Sequence, residues 1–195
     1  MSRYFLYDTR FSEFEQMMML VPNFIPRKKG LIVMENLADE SSQGSTDCKI
    51  LVKSCFADSR NRYFNKRLQK LMQSVDGDCF LNTNHKQRFM SKYNSYMHKK
   101  NCAILYLLSV DEDLWQRSYR SIHADRITLT DISLRGISTD GYAVYQTART
   151  VSTGKEHIYI NEIADDQLIG DFAFKAIILG ILVARYGGEV LSLRK

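Results

Sequence analysis

The feature that most constrains this chain is the apolar run Cys-Ala-Ile-Leu-Tyr-Leu-Leu at residues 102–108. A helix of this composition is apolar on every side, so it must lie inside a larger structure. An amphipathic helix is predicted before it, because Asn84 is a suitable N-cap and apolar residues follow at three- and four-residue steps. Those residues are Phe89, Tyr93, Tyr96 and Met97. A third helix is predicted after the N-cap residue Asp111, with Trp115 on its buried side, so we expect a helical kernel.

Composition places the chain among folded proteins. Of its 195 residues, 45% are apolar and 25% are charged, which allows one core with an appended piece. The longest apolar run, residues 176–184, is far shorter than the roughly 20 residues that a bilayer span needs. The N-terminal residues include Asp8 and lack the long apolar segment that directs secretion. We therefore expect a cytoplasmic protein with no membrane partner.

The cysteines Cys48, Cys55, Cys79 and Cys102 are irregularly spaced, which is typical of reduced thiols in a cytosolic protein. A zinc site is the alternative, in which Cys79 and His85 would complete a set begun by the first two cysteines. The histidines form no HxxxH or HExxH pair, and the sequence has no glycine-rich phosphate loop and no GxSxG elbow. We therefore expect no metal, no other cofactor and no catalytic residue that a motif can assign.

Three segments are predicted along the chain. Residues 1–45 are an N-terminal arm and linker, because both prolines, Pro22 and Pro26, stiffen the arm and a polar, turn-rich stretch follows it. Residues 46–78 are a basic helix segment. Residues 79–195 are a C-terminal helical α+β domain.

Strand signals accompany the helical ones. Residues 48–56 are predicted to form a strand. Residues 127–134 come close to alternating, residues 142–151 are rich in Tyr, Val and Thr, and residues 157–160 alternate again, which predicts a hairpin. The predicted fold class is therefore α+β, with a mainly helical core, a small antiparallel sheet or hairpin, and an N-terminal helical or extended arm.

The most strongly signalled helix comes last in the chain. Asp165 and Asp166 stand where the positive end of its dipole is expected, Arg185 lies near the negative end, and Gly187 stops it. Its predicted inward residues are Leu168, Ile169, Phe172, Ala176, Leu179 and Val183. We expect this helix to pack against residues 102–108 at the centre of the domain.

A row of cations marks the candidate binding surface. In a helix predicted for residues 58–75, Arg62, Lys66 and Lys70 recur at four-residue steps and form a uniformly basic face. Like charges in such a row repel by roughly a few tenths of a kcal/mol per pair, and an anionic partner relieves this repulsion. The net charge of +5 agrees with RNA or an acidic protein as a partner, and a solvated face without a partner is the alternative. The predicted partner-binding residues are Arg60, Arg62, Lys66, Arg67, Lys70, Lys86, Arg88 and Lys92.

Two basic clusters around histidines leave an enzyme as the second hypothesis. His85 lies beside Lys86 and Arg88, and His98 is followed by two lysines. Imidazoles that shuttle protons, together with cations that hold phosphate, are the arrangement of a metal-independent ribonuclease. The third hypothesis is a structural or regulatory domain without nucleic-acid contact.

Two stretches of the chain resemble known groups of proteins. Residues 80–89 are Phe-Leu-Asn-Thr-Asn-His-Lys-Gln-Arg-Phe, with Ile-Leu-Tyr-Leu-Leu at 104–108 and Asp-Leu-Trp at 113–115. Over residues 79–195, this pattern resembles an uncharacterised family of small cytoplasmic proteins of Gram-positive bacteria and their mobile elements. Residues 14–27, which contain Val-Pro-Asn-Phe and Pro-Arg, resemble the leader of accessory proteins from conjugative elements.

The second resemblance implies a function. Some proteins from such settings are similar in organisation to anti-CRISPR inhibitors, which block Cas9 or its guide loading by direct binding. The resemblance therefore implies a mobile-element accessory protein that inhibits a host defence complex. The implied partner is a host defence protein or ribonucleoprotein, with Cas9 as the first candidate and RNA as a further one. The oligomeric state stays open, and a homodimer is among the alternatives.

Overall fold

The structure is a computed structural model, and it describes residues 48–74, 79–123 and 126–191. These residues belong to a unit that begins at residue 47. The predicted N-terminal arm and linker, residues 1–45, lie outside the described residues. The leader resemblance lies outside them as well.

The described part of the chain is helical. Its helices are α1 (Cys48–Phe56), α2 (Arg62–Ser74), α3 (Thr83–Lys92), α4 (Lys99–Leu108), α5 (Glu112–Ser118), α6 (Thr139–Thr153), α7 (Ile160–Ala164) and α8 (Asp171–Tyr186). Short 3₁₀ turns follow α5 at Tyr119–Ser121 and α8 at Gly188–Leu191. No strand occurs among the described residues, where an isolated antiparallel bridge joins Ile122 and Ile127. The α+β prediction is therefore wrong for this part of the chain. Among the described residues, no helix is long and apolar enough to cross a bilayer.

Helices α4 and α8 pack against each other at the centre of the core. Residues 102–108 of α4 are all buried, as their apolar pattern predicted. A Cβ built at Gly180 of α8 would lie 2.5 Å from Leu107 Cδ2, so a side chain at that position would require Leu107 to move. The predicted pairing of these two helices is therefore confirmed, and α6 packs against both.

Residues 142–151, predicted as part of a hairpin, lie in α6. Ser138 caps this helix by accepting a backbone N–H hydrogen bond at 3.0 Å, and Gly154 ends it with a φ of +70°. Between these caps, Val144 and Ala148 are buried one turn apart. The hairpin prediction is wrong because the strand preference of Tyr, Val and Thr depends on context, whereas the caps and the apolar spacing both favour a helix.

The other predicted strands are also absent from the residues that the structure describes. Residues 127–134 consist mainly of turns and irregular chain, and residues 157–160 lead into α7. Helix α1 replaces the strand predicted at its position, because its inward residues follow helical rather than alternating spacing. Those residues are Cys48, Leu51, Val52 and the half-buried Cys55.

Two predicted helices begin at different residues from those expected. Asn82 rather than Asn84 caps α3, and the helix ends early enough that Tyr96 lies beyond it and is 94% exposed. Helix α8 begins at Asp171 rather than at Asp165, because the residues between them form a turn that leads into the helix. Asp165 and Asp166 therefore lie before α8 rather than in its first turn.

Candidate docking site

Arg67, predicted to contact a partner, lies inside the fold. Its guanidinium donates to the carbonyl oxygens of Ile163 at 3.0 Å and Ile169 at 2.8 Å, and Nη2 lies 3.2 Å from Asp171 Oδ1. The guanidinium carbon is 4.2 Å from the centre of the Phe174 ring, within the range of a cation–π contact. Only 9% of Arg67 is exposed. Arg67 therefore joins α2 to α7, to the segment that follows α7 and to the first residue of α8.

Lys70, another predicted binding residue, forms an ion pair within the chain. Its Nζ is 2.7 Å from Asp171 Oδ2, and both side chains are largely exposed. The hydrogen bond from Lys70 is the main cause that lowers the pKa of Asp171, while partial burial opposes it and a hydrogen bond from Arg67 adds to it. Exposed pairs of this kind contribute about 0–1 kcal/mol. Lys70 can therefore exchange Asp171 for an anionic partner at small cost.

Arg88 is also engaged within the fold. Its Nε donates to the Ser109 carbonyl oxygen at 2.7 Å, and Nη2 donates to the Val110 carbonyl oxygen at 2.8 Å. Its Nη1 lies 2.7 Å from Glu112 Oε2. The two carbonyls follow the C-terminal end of α4, where carbonyl oxygens lack helical partners and need other donors. Arg88 therefore completes the hydrogen bonding at the end of the buried helix.

The predicted binding residues Lys86 and Lys92 lie over aromatic rings. The Nζ of Lys92 is 4.0 Å from the centre of the Tyr119 ring, and that of Lys86 is 5.5 Å from the centre of the Phe80 ring. Both lysines belong to α3, which packs on α4, whereas α2 packs mainly on α7. The structure thus divides the predicted binding residues into a group on α2 and a group on α3.

Three predicted binding residues point to solvent at the start of α2. Arg60, Arg62 and Lys66 are exposed, and within the described residues they form no ion pair and no side-chain hydrogen bond. Arg62 and Lys66 lie one turn apart on the same helix, and Arg60 immediately precedes it. We call these three residues the basic ridge. Their binding role stays a prediction.

A groove runs beside the basic ridge, between α2 and the chain that runs from α7 to the first residue of α8. Its volume is about 930 Å³. Two contacts bridge its walls. Asn61 Nδ2 donates to Asn161 Oδ1 at 2.7 Å, and the Lys70–Asp171 ion pair links α2 to the first residue of α8. These two contacts hold the walls of the groove together.

The two walls of the groove differ in charge. The α2 wall presents Lys66 and the side chain of Tyr63, which is 76% exposed. The opposite wall presents Asp165 and Asp166, whose carboxylates accept hydrogen bonds from Gln167 and pair with no cation among the described residues. Sequence reasoning attributed both acids to a helix dipole and missed this wall, because α8 begins further along the chain.

The histidines of the ribonuclease hypothesis serve the fold. His85 is fully buried, and its Nδ1 accepts the Leu81 N–H at 3.3 Å. Its proton therefore lies on Nε2, which donates to the Tyr106 carbonyl oxygen at 3.0 Å. His98 caps α4 by accepting the Lys100 N–H at 3.3 Å. The buried imidazole of His85 has no access to a substrate.

The four cysteines form no disulfide bond with one another, and all except the half-buried Cys55 are buried. Desolvation raises the pKa of Cys102 to about 12. Desolvation also raises the pKa of Cys55, although Arg185 opposes the shift. Within the described part of the chain, no three or more His, Cys, Asp and Glu residues are arranged to hold a metal ion. The zinc alternative has no ligand set there.

Comparison with known proteins adds no family to these observations. No protein-family model, no curated protein and no solved structure matches the chain. The resemblances to the uncharacterised Gram-positive family and to the conjugative-element leader therefore stay predictions.

Proposed function

We propose that this protein is a cytoplasmic binding module that acts stoichiometrically on another protein. Its docking surface is the basic ridge of Arg60, Arg62 and Lys66 together with the adjoining groove. The sequence resemblance supplies the candidate partner, a host defence complex such as a Cas9 ribonucleoprotein. The protein is then a mobile-element accessory protein of the anti-CRISPR kind.

This proposal rests on a difference among the cations of α2 and Arg60, which lies just before this helix. Some of them bind groups within the fold, and others bind none in the part of the chain that the structure describes. Arg67 donates to buried carbonyl oxygens and Lys70 pairs with Asp171. The ridge residues, in contrast, have no partner among the described residues. Their mutual repulsion costs roughly a few tenths of a kcal/mol per pair. A partner with an acidic surface relieves this repulsion and steers the encounter between the two proteins.

A protein partner fits this surface better than nucleic acid does. Asp165 and Asp166 lie across the groove from Lys66, so a phosphate backbone along the ridge would also approach two carboxylates. Nucleic-acid interfaces are much more positively charged than this. A protein can carry both signs of charge at neighbouring positions and so complement both walls. In a Cas9 complex, the contacted component is therefore the protein rather than the guide RNA.

Binding to a purified Cas9–guide complex tests the proposal. Changing all three ridge residues to Ala should weaken binding about tenfold or more, because each removes a charge that is complementary to the partner. The affinity of the variant should also depend less on salt, since fewer screened charge pairs contribute. Isothermal titration at several salt concentrations measures both effects. The matched control replaces exposed cations outside the groove, Lys100, Arg120 and Arg126.

Three outcomes would contradict parts of the proposal. Equal affinity of the ridge variant and the wild type would remove the ridge from the interface. No binding of the wild-type protein would remove Cas9 as the partner. Cleavage of guide RNA by the pure protein would assign an enzyme instead. Circular dichroism of each variant establishes that its helical content is retained.

A further inference from the structure

The groove beside the basic ridge carries its own pattern of charge and apolar surface. We infer that this groove holds an extended polypeptide segment of the partner, with a basic side chain at Asp165 and Asp166 and an acidic side chain at Lys66. The inference rests on the proposed function and names the part of the partner that the groove receives.

The charges that line the groove are only partly compensated within the chain. Asp171 pairs with Lys70 at 2.7 Å. Asp165 and Asp166 on one wall, and Lys66 on the other, have no oppositely charged partner among the described residues. A polyanion complements only Lys66, and a polycation complements only the two acids. A ligand that brings one charge of each sign complements both walls.

One large exposed side chain with apolar surface lines the groove, and others lie in the neighbouring chain. Tyr63 stands on the α2 wall and is largely exposed. The chain that forms the opposite wall carries further large exposed side chains, namely Tyr159, Ile160, Leu168 and Phe172. Concentrations of exposed apolar side chains mark protein interaction sites, where aromatic residues are enriched. A polypeptide offers apolar side chains between its charged ones and so can contact Tyr63.

The groove is preformed by contacts within the chain. Arg67 is buried under it and donates to the carbonyl oxygens of Ile163 and Ile169, while Asn61 and Asn161 are joined at 2.7 Å. A preformed site binds with a smaller loss of conformational entropy than one that must be ordered.

The length of the groove agrees with a short extended segment. From residue 61 to residue 70, the α2 wall spans about 14 Å at a rise of about 1.5 Å per residue. An extended chain rises about 3.3 Å per residue, so about four residues match this wall. The two charges of the segment are therefore expected within about four positions of each other.

Selection of short random peptides on phage against the full-length protein tests the inference. Enriched peptides should carry one basic and one acidic residue within about four positions. A synthetic peptide of the enriched sequence should bind about tenfold more weakly to the Asp165→Asn, Asp166→Asn double variant. Asparagine keeps a side-chain oxygen that can accept the hydrogen bonds from Gln167, so this variant removes charge and preserves the turn.

Charge reversal supplies a second, independent readout. Asp166→Lys should bind the selected peptide more weakly, and it should regain affinity for a peptide whose basic residue is replaced by Glu. The matched control is Glu189→Lys, which reverses an exposed acid beyond the C-terminal end of α8, whereas the groove lies at its N-terminal end. This control should bind the selected peptide as the wild type does.

Three results would overturn the inference: no enriched peptide, enriched peptides without paired charges, or unchanged peptide binding by the double asparagine variant. The proposed function is tested separately by the Cas9–guide complex. If the ridge variant loses affinity for that complex and the double asparagine variant keeps it, the inference alone fails. If peptides bind as expected and the wild-type protein does not bind the complex, the proposed function alone fails.

Discussion

Replacing Arg67 with Ala is expected to destabilise the fold by about 2–6 kcal/mol. The substitution leaves the carbonyl oxygens of Ile163 and Ile169, which take part in buried hydrogen bonds, without their donor. A buried acceptor left unpaired costs about 1–3 kcal/mol, and two such acceptors give the stated range. The lost contact with Asp171 adds little, because that carboxylate is exposed. Such a loss is a large fraction of a typical stability of about 5–15 kcal/mol.

Urea denaturation followed by circular dichroism measures this loss. Arg67→Lys should recover only part of the stability, because it keeps the charge but not the planar fork that reaches several carbonyl oxygens. Lys66→Ala, on the adjacent exposed position, should change the free energy of unfolding by no more than about 0.5 kcal/mol. If Arg67→Ala lost less than about 1 kcal/mol, the assignment of Arg67 to the fold would be refuted.

The remaining predictions concern an ion pair, a helix contact and the thiols. Asp171→Asn should destabilise the protein by at most about 1 kcal/mol at neutral pH. Because the pKa of Asp171 is lowered in the folded protein, the difference in unfolding free energy between the wild type and this variant should be lost as the pH falls below about 4. A difference that persists in acid would contradict the ion pair. Gly180→Ala should cost about 1–3 kcal/mol, despite a helix propensity gain of about 1 kcal/mol, because its Cβ would lie 2.5 Å from Leu107 Cδ2. The cost should shrink in a Leu107→Ala background, whereas additive losses in this double-mutant cycle would contradict the contact. At about pH 8, a thiol reagent should modify Cys55 before Cys102, whose pKa burial raises to about 12, and equal rates in the native protein would contradict that burial.

The parts of the fold that sequence predicted are those with strong local signals. Residues 102–108 are apolar on every side and proved to be buried on every side. Asp111 caps α5 by accepting the Leu114 N–H at 2.8 Å, as an aspartate before an amphipathic run predicts. Gly187 stops α8 in the expected place. Each of these signals depends on a few neighbouring residues and is independent of tertiary contacts.

The strand prediction for residues 142–151 was wrong because it relied on residue preference alone. Tyr, Val and Thr favour strands when they pack on a sheet surface, and no such surface exists among the described residues. In α6 these residues instead pack on α4 and α8. Helical spacing, with Val144 and Ala148 one turn apart, was the stronger signal in this stretch.

The position of Arg67 in the sequence also sets it apart from the other cations of α2. Its position falls on the apolar face of α2, among residues at three- and four-residue steps. That face comprises Phe64, Arg67, Leu68 and Leu71, all of them buried. The acidic wall of Asp165 and Asp166 had no such local signal. Its role depends on the approach of α2, about a hundred residues earlier in the chain, which sequence periodicity does not encode.

Titration of DNA cleavage by a fixed concentration of Cas9–guide complex tests stoichiometric docking most directly. We predict that cleavage ends when one copy of this protein, or one homodimer, is present per complex. At a complex concentration below the dissociation constant, the variant with Arg60, Arg62 and Lys66 changed to Ala should need about tenfold more protein than the wild type for half inhibition. Complete inhibition at a small fraction of the molar ratio, or curves that coincide for the wild type and the variant at that low concentration, would contradict docking through the basic ridge.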